Sequence, residues 1–309
     1  MKVINFYKNR KVYFIVSSVI ILAGIIAALT MGIKLDIQFQ GGSVLKYSYV
    51  GTIDSEEAGA LVEAALGKTT TCLEQVTQAT GEKMLVVNMA DFESITSQEQ
   101  ELITSTLVEA YPDTELNLES SQSVEPSTGA RFFRNGILAI FLSFGLILVY
   151  VGYRFRKIGG FSAGFMAIVA LFHDAFVVTS VFIIFRIPLN DSFIAAVLTI
   201  IGFSINDTIV IYDRIRENKV TMGSKTSTEL LVDTSITQSM SRSINTSLAV
   251  FASITIVYIF AQIYNIESIK DFALPMMFGT ISGCYSTICI AGPLWVMWKN
   301  HAARKPKKA

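Results

Sequence analysis

An aspartate, Asp207, lies within a long apolar segment of the sequence, Ser192–Tyr212. An ionisable side chain inside a bilayer costs about 2.5–3.5 kcal/mol on insertion scales, so it requires a partner, water or a function. Burial favours the neutral form of a carboxyl and a movable cation nearby favours the ionised form, and together these make a proton acceptor. The alternative interpretation is a hydrogen-bonding contact between helices, or a residue that reaches the headgroup boundary.

Arg242 and the His173-Asp174 pair are further charged or titratable groups in apolar surroundings. Arg242 precedes the apolar run Ile244–Ile263, on the polar stripe of a predicted amphipathic helix that leads into the span. It is either a partner for a buried acid or an interfacial charge that snorkels to the headgroups. His173 and Asp174 occupy the middle of the run Ile158–Phe185, so they form either a structural pair or a titrating pair.

The composition that surrounds these residues indicates an integral membrane protein. Of the 309 residues, 51% are hydrophobic and 16% are charged, with a mean hydropathy of +0.50, whereas soluble chains average about 25% charged residues. Runs of about 18 or more residues with few or no charges predict transmembrane helices. Six such runs occur, at Val12–Ile33, Gly136–Tyr153, Ile158–Phe185, Ser192–Tyr212, Ile244–Ile263 and Phe272–Trp298. The first is expected to be an uncleaved anchor rather than a signal peptide, because no clear small-x-small cleavage site follows it.

Basic residues are concentrated at alternate ends of these runs. The N-terminal tail, the 154–157 loop, the 213–225 loop and the C-terminal tail carry four, three, four and five Lys or Arg residues, against one each in the loops 186–191 and 264–271. Because such residues favour the cytoplasmic side, both termini are expected in the cytoplasm. The predicted domains are the tail and first helix (1–33), an extracytoplasmic domain (34–130), helices 2–6 (131–298) and a basic cytoplasmic tail (299–309).

The predicted extracytoplasmic domain is long enough for one small core. Its residue patterns indicate the order β-α-β-β-α-β, which is the ferredoxin-like α+β arrangement. The strands are expected at 44–50, 70–77, 84–89 and 114–124, and the helices at 54–66 and from the capping box at Thr96–Glu99 to before Pro112. Residues 126–129 are expected to form a short linker back into the membrane.

Several function classes lack support in the sequence. There is no nucleotide-binding GxxxxGK[ST] motif, and the two histidines give no Ser/His/Asp arrangement. Three cysteines without paired spacing indicate neither a zinc site nor a disulfide framework. No basic face with interleaved aromatic residues points to nucleic acid. We therefore expect no enzyme activity, no metal and no cofactor.

Two long motifs resemble those of the SecF family of bacterial protein-export subunits, which belongs to the SecD/SecF group. The segment Gly202–Thr208 continuing through Tyr212–Asn218 resembles the family's fourth span, and Ser235–Ser247 resembles the start of its fifth. The resemblance covers nearly the whole chain. Family motif positions fall on Gly41, Gly42, Asn206, Asp213 and Arg214, and a small-residue face for helix packing falls on Gly279 and Gly283.

This resemblance implies half of an RND-type bundle, an accessory subunit that works with SecD. The implied partners are SecD, the SecYEG translocon, YajC or YidC, and preprotein, at the bacterial plasma membrane. It also implies that the proton-motive force helps to draw preproteins across, with protons as coupling ion and Asp207 and Arg242 as the proton pathway. His173 and Asp174 remain open between a proton pathway and a structural pair. The family's Asp before Phe-x-Gly-Gly is Gln38 here, which puts any role of that acid in doubt.

Two other functions remain as alternatives. The chain could be half of an RND-like, proton-coupled carrier for a lipid or small molecule, or a non-conducting membrane scaffold. Asp213 and Arg214, with the charges beside them, are most simply a solvated cytoplasmic cluster.

Overall fold

The computed structural model describes residues 3–68, 70–76, 81–89, 95–124, 126–223 and 226–304. Its helices and strands, in chain order, are α1 (Arg10–Met31), α2 (Ile37–Gln40), β1 (Gly42–Tyr49), α3 (Ser55–Leu66), β2 (Thr70–Val76), β3 (Lys83–Met89), α4 (Ser97–Ala110), β4 (Asn117–Val124), α5 (Pro126–Arg154), α6 (Gly160–Ile184), α7 (Asp191–Thr221), α8 (Thr228–Ile263), α9 (Glu267–Ser286) and α10 (Gly292–Arg304). A π-helical turn, Thr287–Ala291, joins α9 to α10.

In the part of the chain that the structure describes, six helices are long and apolar enough to cross a membrane, which confirms the six predicted spans. They are Arg10–Met31, Ser127–Arg154, Gly160–Ile184, Asp191–Thr221, Thr228–Ile263 and Glu267–Ala302. The second span and the last three extend beyond the apolar runs, because each helix continues into the polar residues that flank its run. The side chains of Asn190 and Ser227 accept hydrogen bonds from backbone N–H groups at the starts of α7 and α8, which satisfies donors that a helix start leaves free.

The α+β domain between the first and second spans has the predicted ferredoxin-like topology. Its sheet has the order β2-β3-β1-β4, and every neighbouring pair is antiparallel. The strands alternate buried and less buried residues, so α3 and α4 cover one face. Fully buried Leu45, Tyr47, Leu85, Ile103 and Leu107 lie in this core.

The ends of α3 and α4 follow the local sequence signals. Asp54 caps α3, and Gly67 ends it in the left-handed conformation that glycine adopts without strain. The capping box at the start of α4 is present, because Thr96 and Glu99 exchange side-chain and backbone hydrogen bonds. The last strand begins at Asn117 rather than 114, since residues 112–114 form a 3-10 turn.

Helix α5 begins at Pro126, so the residues expected to form a linker, 126–129, are helical. Proline is well accommodated in a first helical turn, where its missing N–H costs nothing. Gly129 allows close approach to the short helix α2, since a Cβ there would lie 3.0 Å from the backbone of Phe39. Strand β4 ends at Val124 and helix α5 begins at Pro126, so the sheet and the second span are close neighbours in the chain.

Helices α6, α7 and α9 form the centre of the bundle, and α1 and α8 lie at its periphery. In the most apolar 18-residue stretch of each helix, half or more of the residues are buried in α6, α7 and the last span. In α1 and α8 only 11% of the residues of that stretch are buried. Buried polar residues concentrate on the three central helices and on the side of α8 that faces them. The candidate site lies there.

Candidate functional site

Asp174 is enclosed at the centre of the bundle by hydroxyl groups. Its side chain on α6 is fully buried, and its Oδ2 accepts hydrogen bonds from Ser204 of α7 at 2.7 Å and from Ser286 of α9 at 2.6 Å. Its Oδ1 accepts one from Ser282 of α9 at 2.6 Å. These three donors satisfy both oxygens of the carboxyl group, and a buried polar group left without such partners would cost about 1–3 kcal/mol. Asp174 therefore ties three helices together.

His173 contacts the same group from the side. Its Nδ1 lies 3.3 Å from Asp174 Oδ1 and 3.4 Å from the Ser282 hydroxyl. Its ring centroid is 6.1 Å from that of Tyr285. Within the described part of the chain, the buried Nε2 has no hydrogen-bond partner. The two residues thus differ in their contacts. Both oxygens of Asp174 accept hydrogen bonds, whereas only one ring nitrogen of His173 has a polar neighbour within hydrogen-bond distance.

Asp207 is buried on α7 but is not engaged in the same way. Its side chain is 3% exposed, and its Oδ2 has no hydrogen-bond partner among the described residues. Arg242 of α8 is close enough to act on this carboxylate electrostatically. These two described side chains do not form an ion pair within 4.0 Å, however, and Arg242 is exposed. The arrangement brings the predicted acid and base into proximity without direct pairing.

A short hydroxyl network connects the surroundings of the two aspartates. The backbone carbonyl of Ser204, whose hydroxyl binds Asp174, accepts hydrogen bonds from Thr208 at 3.2 Å and from Thr287 at 3.3 Å. The hydroxyls of Thr208 and Thr287 are themselves 3.0 Å apart. Thr208 follows Asp207 directly in the chain, so this network lies next to both aspartates.

Comparisons with known proteins give the family. Residues 103–301 match the family described as protein export membrane protein SecD/SecF, C-terminal. The chain is 33% identical to protein translocase subunit SecF of Alicyclobacillus acidocaldarius, over 95% of this chain and 92% of that relative. The chain belongs to the SecD/SecF family. It is also 30% identical to SecF of Helicobacter pylori strain J99, over 100% of this chain and 94% of the relative.

Relatives in which SecD and SecF form one chain are similar to this protein over their SecF part. SecDF of Bacillus subtilis is 32% identical over 97% of this chain and 39% of its own length. The crystal structure of SecDF from Thermus thermophilus, a translocon-associated membrane protein, superposes with a TM-score of 0.78 at 26% identity, covering 97% of this chain and 39% of that chain. This chain therefore spans about two fifths of the SecDF chains it matches.

The residues around Asp207 that resemble the family motif differ in exposure. Asn206 is exposed, whereas Asp213 and Arg214 are half-buried. Asp213 forms ion pairs with Arg154 at 3.3 Å and with Arg216 at 2.8 Å. Arg214 forms an ion pair with a neighbouring glutamate and donates a hydrogen bond to a glutamine of α8. These are the contacts of a partly exposed charge cluster at the end of the bundle away from the α+β domain.

The paired glycines of the motif after the first span form the turn into β1. Gly41 and Gly42 have φ angles of 84° and 132°, which side-chain-bearing residues rarely adopt. A Cβ on Gly42 would also lie 2.6 Å from the carbonyl oxygen of Met89. Gln38 accepts a hydrogen bond from the backbone N–H of Asp191 at 3.1 Å.

Acidic side chains gather where the α+β domain meets the bundle. Burial raises the pKa of the Asp36 carboxyl, which caps α2 by accepting a hydrogen bond from the N–H of Gln38. Asp191 and Glu267 add to that effect by their negative charge. Lys46 of β1 forms an ion pair with Glu267 at 3.4 Å. This ion pair joins the sheet directly to the start of the last span.

The two glycines predicted to mediate helix packing lie against central helices. A Cβ on Gly279 would be 2.6 Å from Ile200 and 2.9 Å from Val178. One on Gly283 would be 3.2 Å from the Cβ of Ser204. Small residues at these positions let α9 approach α6 and α7 closely enough for its serines to reach Asp174.

The sequence did not lead us to predict the serine hydroxyls that donate hydrogen bonds to Asp174. Ser282 and Ser286 are four residues apart and so share one face of α9, which was a usable signal for a polar contact in the bundle. In the described residues, no group of three or more His, Cys, Asp or Glu side chains could hold a metal ion. The functional groups are therefore carboxylates, hydroxyls, one imidazole and one guanidinium.

Proposed function

We propose that this chain is a SecF-type subunit of the Sec protein translocase that uses the proton-motive force, together with SecD, to promote preprotein translocation across the bacterial plasma membrane. Family membership and the SecDF relatives support the translocase and the SecD partnership. The observation that carries the proton coupling is the carboxylate of Asp207, buried in the bundle with one oxygen unpaired and a basic side chain nearby.

The two intramembrane aspartates have different roles in this proposal. Three hydroxyl donors fix Asp174 in place, so changing its protonation would break contacts on three helices at once. Asp207 has few such ties, so it can gain or lose a proton with little rearrangement of its immediate neighbours. Asp207 is the switching group and Asp174 is the anchor.

Arg242 supplies the energy difference between the two states of Asp207. When Asp207 is ionised, the guanidinium is attracted to it, and when Asp207 is neutral the attraction disappears. At 4 Å and an effective dielectric constant of 20, two unit charges interact by about 4 kcal/mol before desolvation is deducted. A difference of that order shifts a two-state helix packing by more than about a hundredfold. Arg242 is exposed, as expected when its guanidinium is not paired with the carboxylate of Asp207.

The distribution of basic residues supports an orientation for this cycle. The described basic residues Lys8, Arg154, Lys219 and Lys299 lie at the end of the bundle away from the α+β domain. By the positive-inside tendency this end is cytoplasmic, and the α+β domain faces the preprotein as it emerges. The SecYEG translocon, with YajC or YidC, is the proposed setting.

The test is preprotein export into membrane vesicles that carry this chain, its SecD partner and the translocon. Export is measured for the wild type and Asp207→Asn, with and without an ionophore that dissipates the proton gradient. We expect the ionophore to slow wild-type export to the level of Asp207→Asn and to leave the variant unchanged. Asp213→Asn, in the surface cluster, is the matched control and should respond to the ionophore like the wild type.

Two outcomes would contradict the proposal. If Asp207→Asn keeps gradient-dependent export, the coupling does not use this carboxylate. If Arg242→Ala exports like the wild type, the guanidinium has no part in it, whereas Arg242→Lys should keep some activity because a positive charge remains. A scaffold role predicts full export by Asp207→Asn at normal membrane abundance, so the same experiment distinguishes that alternative.

A further inference from the structure

Three lysines from different elements meet at the turn that joins α5 to α6, at residues 156–159. The ammonium of Lys219, near the end of α7, donates a hydrogen bond to the backbone carbonyl of Lys157 at 3.0 Å. The ammonium of Lys299 on α10 packs against Gly159, where an added Cβ would lie 2.6 Å from its Nζ atom. Two ammonium groups thus contact one short turn, which carries the third on Lys157 itself.

Within the described residues, no acidic side chain neutralises this three-lysine cluster, Lys157, Lys219 and Lys299. None of the three forms an ion pair within 4.0 Å. Asp213, at the same end of α7, is already paired with two arginines. Because like charges repel each other, three cations held together favour the binding of an anion.

The start of α6 adds to the positive potential at the cluster. The N-cap residue is Gly159, which has no side chain to accept from the first N–H groups of the helix. These groups have no partner within a helix, and the helix dipole favours an anion beside them. Charged side chains and backbone donors therefore point to the same kind of ligand.

An apolar path leads from the cluster along α6 toward the middle of the membrane. Four apolar side chains on this helix are 38–72% exposed, and their spacing of three or four residues puts them on one face: Phe161, Phe165, Val169 and Phe172. The indole of Trp298 on α10 flanks this face, with its ring centroid 6.4 Å from that of Phe165. Exposed aromatic residues near the end of a span are typical of the headgroup region of a bilayer.

The path ends in a groove between α1 and α6. The groove has a volume of about 480 Å³, and its lining includes Phe14 and Ile21 of α1 and Val169 and Phe172 of α6. This volume is in the range of about 300–1,000 Å³ that is usual for small-molecule sites. From residue 159 to residue 172 the helix rises by about 20 Å. One leaflet of a bilayer, including its headgroups, is also about 20 Å thick.

We propose that the three-lysine cluster binds the phosphate group of an anionic phospholipid, and that an acyl chain of this lipid lies along the exposed face of α6 and ends in the groove. Lysine ammonium groups form strong, charge-assisted hydrogen bonds with phosphate oxygens. Basic pockets between transmembrane helices are known to bind lipid headgroups. In the orientation proposed above, the lipid belongs to the cytoplasmic leaflet.

The bound lipid would hold the ends of three spans together. Lys219 belongs to α7, Lys299 to α10, and Lys157 to the turn between α5 and α6. One headgroup in contact with all three offsets the repulsion among them. The site does not include Asp207 or Arg242, so the inference stands independently of the proposed proton coupling.

The two tryptophans of the sequence, Trp295 and Trp298, allow the site to be tested directly. Trp295 is 2% exposed and Trp298 is 50% exposed, so a quencher carried by a lipid reaches Trp298 more readily. The full chain is reconstituted into phosphatidylcholine bilayers. Quenching of its fluorescence is measured with phosphatidylglycerol that carries bromine atoms on its acyl chains. Brominated phosphatidylcholine at the same mole fraction gives the quenching by lipids that merely surround the protein.

We expect phosphatidylglycerol to quench the wild type at lower mole fractions than phosphatidylcholine does. A basic residue near an anionic lipid contributes about a fivefold preference. Lys219→Gln combined with Lys299→Gln should therefore lower the preference about tenfold to thirtyfold. The same two lysines changed to Arg should keep the preference, because the charge remains. Trp298→Phe should remove the difference between the two lipids.

The matched control removes two charges from the same end of the bundle but outside the cluster. Lys8 and Lys11 are both exposed there, and Lys8→Gln combined with Lys11→Gln should change the preference by less than about twofold, since each is outside the binding site. The comparison of the two lipids in the wild type needs no variant, so it tests the proposal even where a variant folds poorly.

Four results would overturn the inference. Two of them are equal quenching of the wild type by the two brominated lipids and an unchanged preference when Lys219 and Lys299 are replaced by Gln. The third is release of the quenching by inorganic phosphate, which would show that the lysines bind the free anion. The fourth is loss of the preference when a tryptophan-free SecD is reconstituted with the chain, which would show that SecD covers the cluster.

Discussion

Replacing Asp174 by Asn tests whether the hydroxyl-enclosed side chain anchors the three central helices. An asparagine with its oxygen in the place of Oδ2 would still accept from Ser204 and Ser286, but its amide nitrogen would replace the acceptor for Ser282, whose hydroxyl would then have to accept instead of donating. Hydrogen bonds to a charged acceptor contribute about 1.5–3 kcal/mol, against about 0.5–1.5 kcal/mol for neutral ones. With all three contacts converted to neutral ones, a loss of about 1 kcal/mol at each gives a destabilisation of about 3 kcal/mol.

Thermal unfolding of the purified protein in detergent measures this loss. For a chain of this size, 1 kcal/mol lowers the melting temperature by about 2–4 °C, so Asp174→Asn should melt about 6–12 °C below the wild type. Asp213→Asn is the matched control, because its partly exposed ion pairs contribute at most about 1 kcal/mol. An unchanged melting temperature would refute the anchor role.

Two further predictions concern helix packing and the α+β domain. Gly279→Ala would place a Cβ 2.6 Å from the side chain of Ile200. This overpacking should cost about 1–3 kcal/mol of stability and lower the melting temperature. The control is Gly145→Ala, where the added Cβ has no neighbour within 4 Å and the melting temperature should stay unchanged. The ion pair with Lys68 lowers the pKa of Glu99 to about 2 from 4.5. Because that folded-state pKa is depressed, its stabilisation is present above about pH 5 and is lost as the pH falls toward 2. Amide hydrogen exchange at the start of α4, corrected for intrinsic rates, should accelerate in the wild type as the pH falls from about 5 toward 2. In Glu99→Gln the exchange rate should depend less on pH. Equal pH profiles for the two proteins would contradict a stabilising role of the Glu99 carboxylate.

The sequence predicted the spans and the α+β topology because both follow from local patterns. Apolar runs, the capping box at Thr96–Glu99 and the stop at Gly67 are each encoded within a few residues. Helix extents were less predictable. The α8 helix begins at Thr228 rather than at the apolar run, since an amphipathic stretch and a continuous helix have the same local signature.

The partners of the buried charges could not be predicted, because they depend on which helix faces meet. The sequence identified Asp174 as a residue that needs a partner, but its three donors come from α7 and α9, at separations of 30 to 112 residues. In the same way, the proximity of Asp207 and Arg242 was implied by family resemblance rather than by spacing. That Arg242 lies exposed rather than paired is a feature of tertiary packing alone.

The continuity of β4 and α5 makes the second span a lever arm for the α+β domain. Helix α5 has 29 residues and is about 43 Å long at 1.5 Å per residue. A tilt of about 5° around its far end would displace its first turn by about 4 Å, almost the spacing between neighbouring strands. The tight contact of Gly129 with the Phe39 backbone would carry α2 and the start of β1 along with it. A small change of helix packing deep in the bundle would therefore displace the whole sheet by a larger distance.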